Sequence, residues 1–224
     1  MIELTDSSAN KSLDVIRLGR KAYEKVWDRQ KKLVDERRMG IVPDTLILVE
    51  HDPVYTLGKN SNENHLLKSR DVHIPVYQIE RGGDVTFHGP GQLVGYPILD
   101  LHHHRLSVSW YMRTLEEMLI RTVGQFGIEA RRREGLTGVW VGEEKIAALG
   151  VRLSRWVSMH GFALNVNTDL EFFDGIIPCG IFEYDVTSMS QILGKEVSMV
   201  EVEETLVTIF RLLFSFQECE AAHA

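Results

Sequence analysis

Apolar positions along this chain fall into two rhythms. Between Ser12 and Arg38, the stripe Ile16, Tyr23, Val26, Trp27, Gln30, Leu33 and Val34 keeps a mostly helical period, with charges between its members. That spacing predicts one long amphipathic helix. Ser12 suits an N-cap, and Gly40 and Pro43 end the element. The run Thr45–Glu50 is apolar throughout and predicts a buried strand, with Asp52-Pro53 as a turn and Val54–Leu57 as a second strand before Gly58. Asn60–Asn64 is polar loop. Pro75–Glu80 reads as a strand, as does Leu93–Leu101, where Pro97 implies an edge or bulged position. Ser107–Phe126 predicts a second helix, with Tyr111, Leu115, Met118, Leu119, Thr122 and Phe126 inward and Gly127 at its C-cap. From Gly138 the pattern becomes a hairpin: Val139–Val141, an acidic turn Gly142-Glu143-Glu144, then Lys145–Val151. A strand over Val157–Val166, a short helical turn over Asp169–Phe173 and a closing helix over Val200–Phe214 complete the pass. No internal repeat is visible, and strands and helices do not alternate as a doubly wound sheet requires. The expectation is one mixed α/β domain over residues 1–216, with 217–224 as a disordered tail.

Composition narrows the class of protein. The chain has 224 residues, 44% hydrophobic and 25% charged, with a net charge of −7. Acidity argues against a nucleic-acid binder. No apolar run approaches the roughly 20 residues of a membrane span. The start, Met1-Ile2-Glu3-Leu4-Thr5-Asp6, has no signal-peptide pattern, so the expected location is cytoplasmic, with no membrane partner. Of the two cysteines, Cys219 lies in the expected tail, which leaves Cys179 as a free thiol rather than half of a disulfide.

Candidate chemistry gathers in six places. Arg81–Gln92 holds four glycines, a proline, an arginine and a histidine. Such a loop is either a backbone wall around a ligand or a tight connection between strands. Cys179 sits in Ile177-Pro178-Cys179-Gly180; a free cysteine is commonly an inert buried residue, but Gly180 leaves room for an accessible nucleophile. Lys145 opens an apolar strand, either as a surface charge or as an ammonium turned into a cleft. His88 and His160 each fit a hydrogen-bonded core position or a site. His102-His103-His104 reads as solvent-facing, because neighbours on a strand end cannot converge on one metal; no metal site is expected. Arg131-Arg132-Arg133 is either a solvated loop or a docking patch.

Taken together these blocks resemble a known family. Arg81-Gly82-Gly83-x-x-Thr86-Phe87-His88-Gly89-Pro90-Gly91-Gln92-x-x-x-Tyr96-Pro97 is similar to the signature of the lipoyl(octanoyl) transferases. Gly138-Val139-Trp140-Val141 with Lys145–Arg152, then His160–Asn167, then Asp169-Leu170-x-x-Phe173-x-x-Ile176-x-Pro178-Cys179-Gly180, with Thr187-Ser188-Met189 trailing, resemble the following blocks in family order. Ile177, where a threonine or similar residue is expected, is a small departure.

The resemblance implies a biotin/lipoate protein ligase-like catalytic domain of α+β class. Such a domain is a mixed sheet flanked by helices, related to class II synthetase cores. It implies transfer of octanoyl from octanoyl-acyl carrier protein to one lysine of a lipoyl domain, in 2-oxo acid dehydrogenases or the glycine cleavage H protein. The nucleophile maps onto Cys179 and its partner onto Lys145. The acyl-binding residues map onto Arg81, Gly82, Gly83, Asp84, Val85, Thr86, Phe87 and His88, onto Ala148, Leu149 and Gly150, and onto Gly161, Phe162 and Ala163. A thioester donor is already activated, so no cofactor is expected, ATP included. Backbone N–H groups at Gly82-Gly83 or Gly180 are the expected oxyanion donors. Arg131–Arg133, Arg152 and Arg155 are the expected docking cations for acidic partners. Three readings compete: an ATP-dependent lipoate or biotin protein ligase on the same fold, a relay between two lipoyl domains, and a non-catalytic carrier-protein binding module.

Overall fold

Leu46, Ile47, Leu48 and Val49 are apolar at consecutive positions because the strand they form is covered on both faces. In a computed structural model describing residues 12–177 and 185–216, this strand is β2 (Asp44–His51). Leu46 and Leu48 enter one core, and Ile47 and Val49 enter the other. A strand buried on both sides reads as a continuous apolar run rather than an alternating one.

The strands are β1 (Leu13–Lys21), β2, β3 (Val54–Leu57), β4 (Val76–Gln78), β5 (Val85–His88), β6 (Gln92–Ile98), β7 (Arg131–Arg133), β8 (Leu136–Val141), β9 (Glu144–Ser154) and β10 (Val157–Asn165). Seven form the main sheet in the order β1-β2-β6-β10-β9-β8-β7, and β4-β3-β5 make a small second sheet. β1 runs parallel to β2, while β6, β10, β9, β8 and β7 pair antiparallel, so the main sheet is mixed. Helix α1 (Tyr23–Arg38) covers one face, and α2 (Val108–Gly124) and α4 (Met199–Phe214) cover the other. A short α3 spans Met189–Leu193. The mixed, helix-flanked sheet is the expected class.

Three expectations are corrected. The segment before Tyr23 is strand β1, not the first turns of a helix. Leu13 and Val15 join the core under α2 and α4, whereas Ile16 and Leu18 join the one under α1, which is the two-sided alternation of a strand. Gly19, at φ +59, and a register shift between Arg17 and Arg20 then break it. Second, Pro97 lies in the middle of the sheet, because β6 pairs with both β2 and β10. The proline lacks an N–H, and β10 leaves the β6 ladder opposite it. There His160 takes φ +60, and Ser158 Oγ mends the gap, accepting from Leu99 N at 2.9 Å and donating to Pro97 O at 2.7 Å. Third, His104 is buried, its Nε2 2.7 Å from Asp44 Oδ2. Asp44 also accepts from Arg37 Nε at 2.7 Å and from Asp100 N at 2.9 Å. Burial opposes its ionisation, but His104, Arg37 and the Asp100 amide together hold its carboxyl below the ordinary range.

The ends of α2 follow local rules. Ser107 Oγ accepts from Trp110 N. At the other end Ile128 N donates to Val123 O and Gly127 N to Gly124 O, with Gly127 at φ +80. That is a Schellman closure, which requires the left-handed residue that glycine supplies. The inner stripe Tyr111, Leu115, Met118, Leu119 and Thr122 is fully buried. Within the described residues, no helix is long and apolar enough to cross a membrane.

Candidate active site

The small sheet stands over the main one, and the glycine loop leads from its β4 side into β5. This places a backbone wall opposite β6, β10 and β9. Between them lies a narrow cleft with a free volume of about 80 Å³. Its floor is made by small residues in register across β9 and β10, with Ala148 beside Ala163 and Gly150 beside Gly161. A Cβ on Gly150 would come within 2.9 Å of Gly82 O and 3.0 Å of Arg81 Cδ. The loop therefore passes so close to the strand that only hydrogen fits between them.

Arg81 is the fastener of this loop. Its Nη2 donates to Thr56 O at 2.7 Å and to Thr56 Oγ1 at 3.0 Å, and its Nη1 donates to Gly82 O at 3.1 Å. A planar guanidinium can serve these acceptors at once, which an ammonium cannot do with the same geometry. Gly82 N donates to Val151 O at 2.9 Å and stitches the loop to β9. Gly83, at φ +88, turns the chain back toward the cleft. Asp84 accepts from Val85 N and is paired with His65 Nδ1.

Of the residues expected to hold an acyl chain, Arg81, Gly83, Asp84, Val85, Thr86, His88, Ala148, Leu149, Gly150, Gly161, Phe162 and Ala163 line the cleft. Gly82 and Phe87 are not lining residues. Gly82 is engaged with β9, and Phe87 points into the small-sheet core, stacked on Phe172 at 4.7 Å. Tyr23, Val94, Tyr96, His160, Phe173 and Val186 also line the cleft. Tyr23 and Val94 carried no sequence signal of this role, because nothing local distinguishes a core residue from one beside a cavity.

Lys145 lines the cleft too. Its Nζ stands 4.7 Å from the centre of the buried Trp140 ring, an attraction of cation and π face. Its N–H donates to Asp185 O at 2.9 Å, and its C=O accepts from Thr187 N at 3.0 Å. A hydrogen-bond chain then crosses the floor. His88 Nδ1 meets Gln92 Oε1 at 2.8 Å, Gln92 Nε2 donates to Asn165 Oδ1 at 3.0 Å, and Asn165 Nδ2 donates to Thr187 O at 3.0 Å. His88 and the backbone of Lys145 are thus tied through three residues, Gln92, Asn165 and Thr187. Burial, then the neighbouring His51, pushes the His88 imidazole down to about 3, so it is neutral at physiological pH.

Cys179 lies outside the described residues, with Pro178, Gly180 and Cys219. The chain on both sides of Cys179 is placed. Ile177 N donates to His65 O at 2.8 Å, Lys145 and Val186 form a parallel bridge, and Phe173 and Val186 both line the cleft.

The sequence pattern of the lipoyl protein ligase A/B catalytic domain matches residues 22–211. An octanoyltransferase of Rubrobacter xylanophilus is 49% identical over 210 residues, covering 89% of this chain and 93% of the relative. The chain belongs to the lipoyl protein ligase A/B catalytic domain family. Within that family it falls with the octanoyltransferases and is an acyltransferase. The family fold extends to distant proteins. A bipartite lipoate protein ligase from Thermoplasma acidophilum superposes with a TM-score of 0.70 at 19% identity, covering 92% of this chain and 85% of that one. Biotin protein ligase from Aquifex aeolicus superposes with a TM-score of 0.54 at 14% identity, covering 92% and 70%. At such identities the likeness concerns fold alone.

The remaining expectations find their places. Arg132 pairs with Glu116 and Glu117, Arg131 and Arg133 with Glu143, and Arg152 with Glu80. Each arginine of the basic run thus has at least one carboxylate beside it. His102 engages Asp100 and His104 engages Asp44. Among the described residues no group of histidines, cysteines and carboxylates is placed to hold a metal ion.

Proposed function

We propose that this chain transfers an octanoyl group from octanoyl-acyl carrier protein to a specific lysine of lipoyl domains, through a thioester on Cys179. The supporting observation is that Phe173 and Val186, which bracket Cys179 in the sequence, line the same apolar cleft as Lys145. Residues 1–216 are read as one catalytic domain. The donor thioester is already activated, so thiolate attack at its carbonyl and departure of the carrier thiolate exchange one thioester for another without nucleotide. The Lys145 ammonium favours the Cys179 thiolate and then gives its proton to the departing carrier thiolate, which leaves Lys145 a neutral amine. In the second half, the acceptor amine attacks the acyl-enzyme carbonyl, loses a proton to Lys145 acting as a neutral base, and expels the Cys179 thiolate. The alkyl chain lies between the glycine loop and the small-residue floor, where each buried CH₂ contributes about 0.8 kcal/mol.

The test uses the full chain, octanoyl-acyl carrier protein and an isolated lipoyl domain, without nucleotide, read by intact-protein mass spectrometry. The expected result is one added octanoyl group on the lipoyl domain, and, without acceptor, one octanoyl on Cys179. Strict dependence on ATP, acylation confined to Cys219, or a Cys179→Ser variant as active as the parent would overturn the proposal.

A further inference from the structure

The cleft changes character from one end to the other. Lys145, Phe173 and Val186 mark one end, and Ala148, Leu149, Phe162 and Ala163 make its middle apolar. The inner end is polar. Tyr23 and His88 stack at 6.0 Å, and Tyr96 is held through its hydroxyl by His51 Nε2 at 2.8 Å. His160 completes this end, six residues beyond Lys145 along β9 by way of its register partner Val151.

His160 is the unusual member. It is 1% exposed and lines the cleft. Among the described residues neither of its ring nitrogens has a hydrogen-bond partner. Nε2 faces Glu80 Oε2 at 3.8 Å, an ion-pair contact longer than a hydrogen bond, and Nδ1 is left as the open position on the ring. The backbone is held at φ +60, and its N–H is anchored by Gln30 Oε1 at 3.0 Å, so the ring is fixed where it stands. A buried imidazole is a neutral donor and acceptor pair that ordinarily finds partners. A purely alkyl binding site would place an aliphatic side chain here.

We infer that the inner end of the cleft is a hydrogen-bonding terminus, with His160 selecting acyl chains that carry a polar atom at the ω end over equally long chains that end in methyl. This rests on the acyl-transfer reading above and extends its substrate class from octanoyl to ω-oxygenated octanoyl chains. Octanoyl itself leaves room for a water on the imidazole, and such a polar, buried niche holds water well. A longer alkyl chain expels that water and leaves Nδ1 unsatisfied. A terminal hydroxyl replaces it.

The decisive comparison is between two donors with equal numbers of heavy atoms, 8-hydroxyoctanoyl and nonanoyl, each loaded on acyl carrier protein. On the wild-type chain, kcat/KM for 8-hydroxyoctanoyl is expected to exceed that for nonanoyl by about tenfold, the size of one satisfied buried hydrogen bond. His160→Leu is expected to abolish or invert the preference, and His160→Gln to retain it. Both substitutions carry the same backbone strain at positive φ, so the difference between them isolates polarity. Nonanoyl transferred as well as or better than 8-hydroxyoctanoyl by the wild-type chain overturns the inference. So does an equal preference in the Leu and Gln variants. Absence of any octanoyl transfer would instead overturn the underlying reading. The wild-type comparison stands even if either variant fails to fold.

Discussion

Replacing Ala148 by leucine tests whether the small-residue floor measures the acyl chain. Ala148 lies three residues from Lys145 along β9, in register with Ala163, and its side chain is only half-buried beside the cleft. An octanoyl chain extends roughly 9 Å from its carbonyl carbon and passes Ala148 on its way to the inner end of the cleft. Leucine adds three carbons beside its distal methylenes. If they displace three methylenes, each worth about 0.8 kcal/mol, octanoyl loses about 2.4 kcal/mol of transition-state stabilisation. That corresponds to a fall in kcat/KM of roughly fiftyfold. A butanoyl chain, about 4 Å long, stops short of the new side chain and is expected to change by less than about threefold. The added bulk enters a cleft rather than a filled core, so the Tm should move by less than about 10 °C. The assay is acylation of a lipoyl domain by butanoyl, hexanoyl and octanoyl carriers, with the ratio of kcat/KM values as the readout. Equal losses for all three chains, or undiminished octanoyl transfer, would refute the placement of the chain along β9.

Gly161→Ala is expected to fail structurally instead, since a Cβ there collides with the Gly95 carbonyl oxygen and the Pro97 ring; a loss above about 3 kcal/mol should appear in thermal melts, and an unchanged Tm would count against the close β6–β10 approach. Asp44→Asn and Arg37→Met each break a buried pair at 2.7 Å and should each cost about 3–5 kcal/mol, with the double variant well short of the sum; simple additivity in urea unfolding would remove the pair's role. His51 and His88 are held down by burial to about 4 and about 3, against about 6.5 in the unfolded chain. The unfolded state then binds the extra protons, so stability is full above about pH 6.5 and falls as pH drops toward the folded values, by on the order of 1 kcal/mol per pH unit per histidine. Urea midpoints at pH 7 and pH 5 measure this, and a flat profile would contradict it.

What the sequence made legible follows from how local each signal is. Gly83, Gly127 and Gly142 sit at positive φ, and each punctuates an element at or near the position its spacing suggested. Ser107, read as the start of the second helix, caps α2. β1 was hidden because α1 begins at Ala22 with no side-chain cap, so no boundary separated a strand's alternation from the helical stripe that follows. Gly19 was the usable signal. The β9–β10 turn was equally silent: Arg155 and Trp156 take φ of 51 and 64, a conformation that asparagine and glycine usually announce.

The cleft was legible in its backbone-lined parts and only partly so in its inner end, where His88 was expected at the site, His160 was left open and Tyr23 carried no signal, and the difference has one cause. A backbone wall requires glycine and alanine at fixed spacing, which leaves a mark in a single stretch of sequence. Tyr23, His88, Tyr96 and His160 come from α1, β5, β6 and β10, and each is also an acceptable core residue. Only their convergence distinguishes them. His160 shows how such a residue can be told from core packing: a core histidine of a stable fold finds partners for its nitrogens, because leaving one unsatisfied costs about 1–3 kcal/mol. A fold that holds this backbone with an anchored N–H, sets Glu80 beside Nε2 and gives Nδ1 no hydrogen-bond partner among the described residues has left that nitrogen for something that enters the cleft.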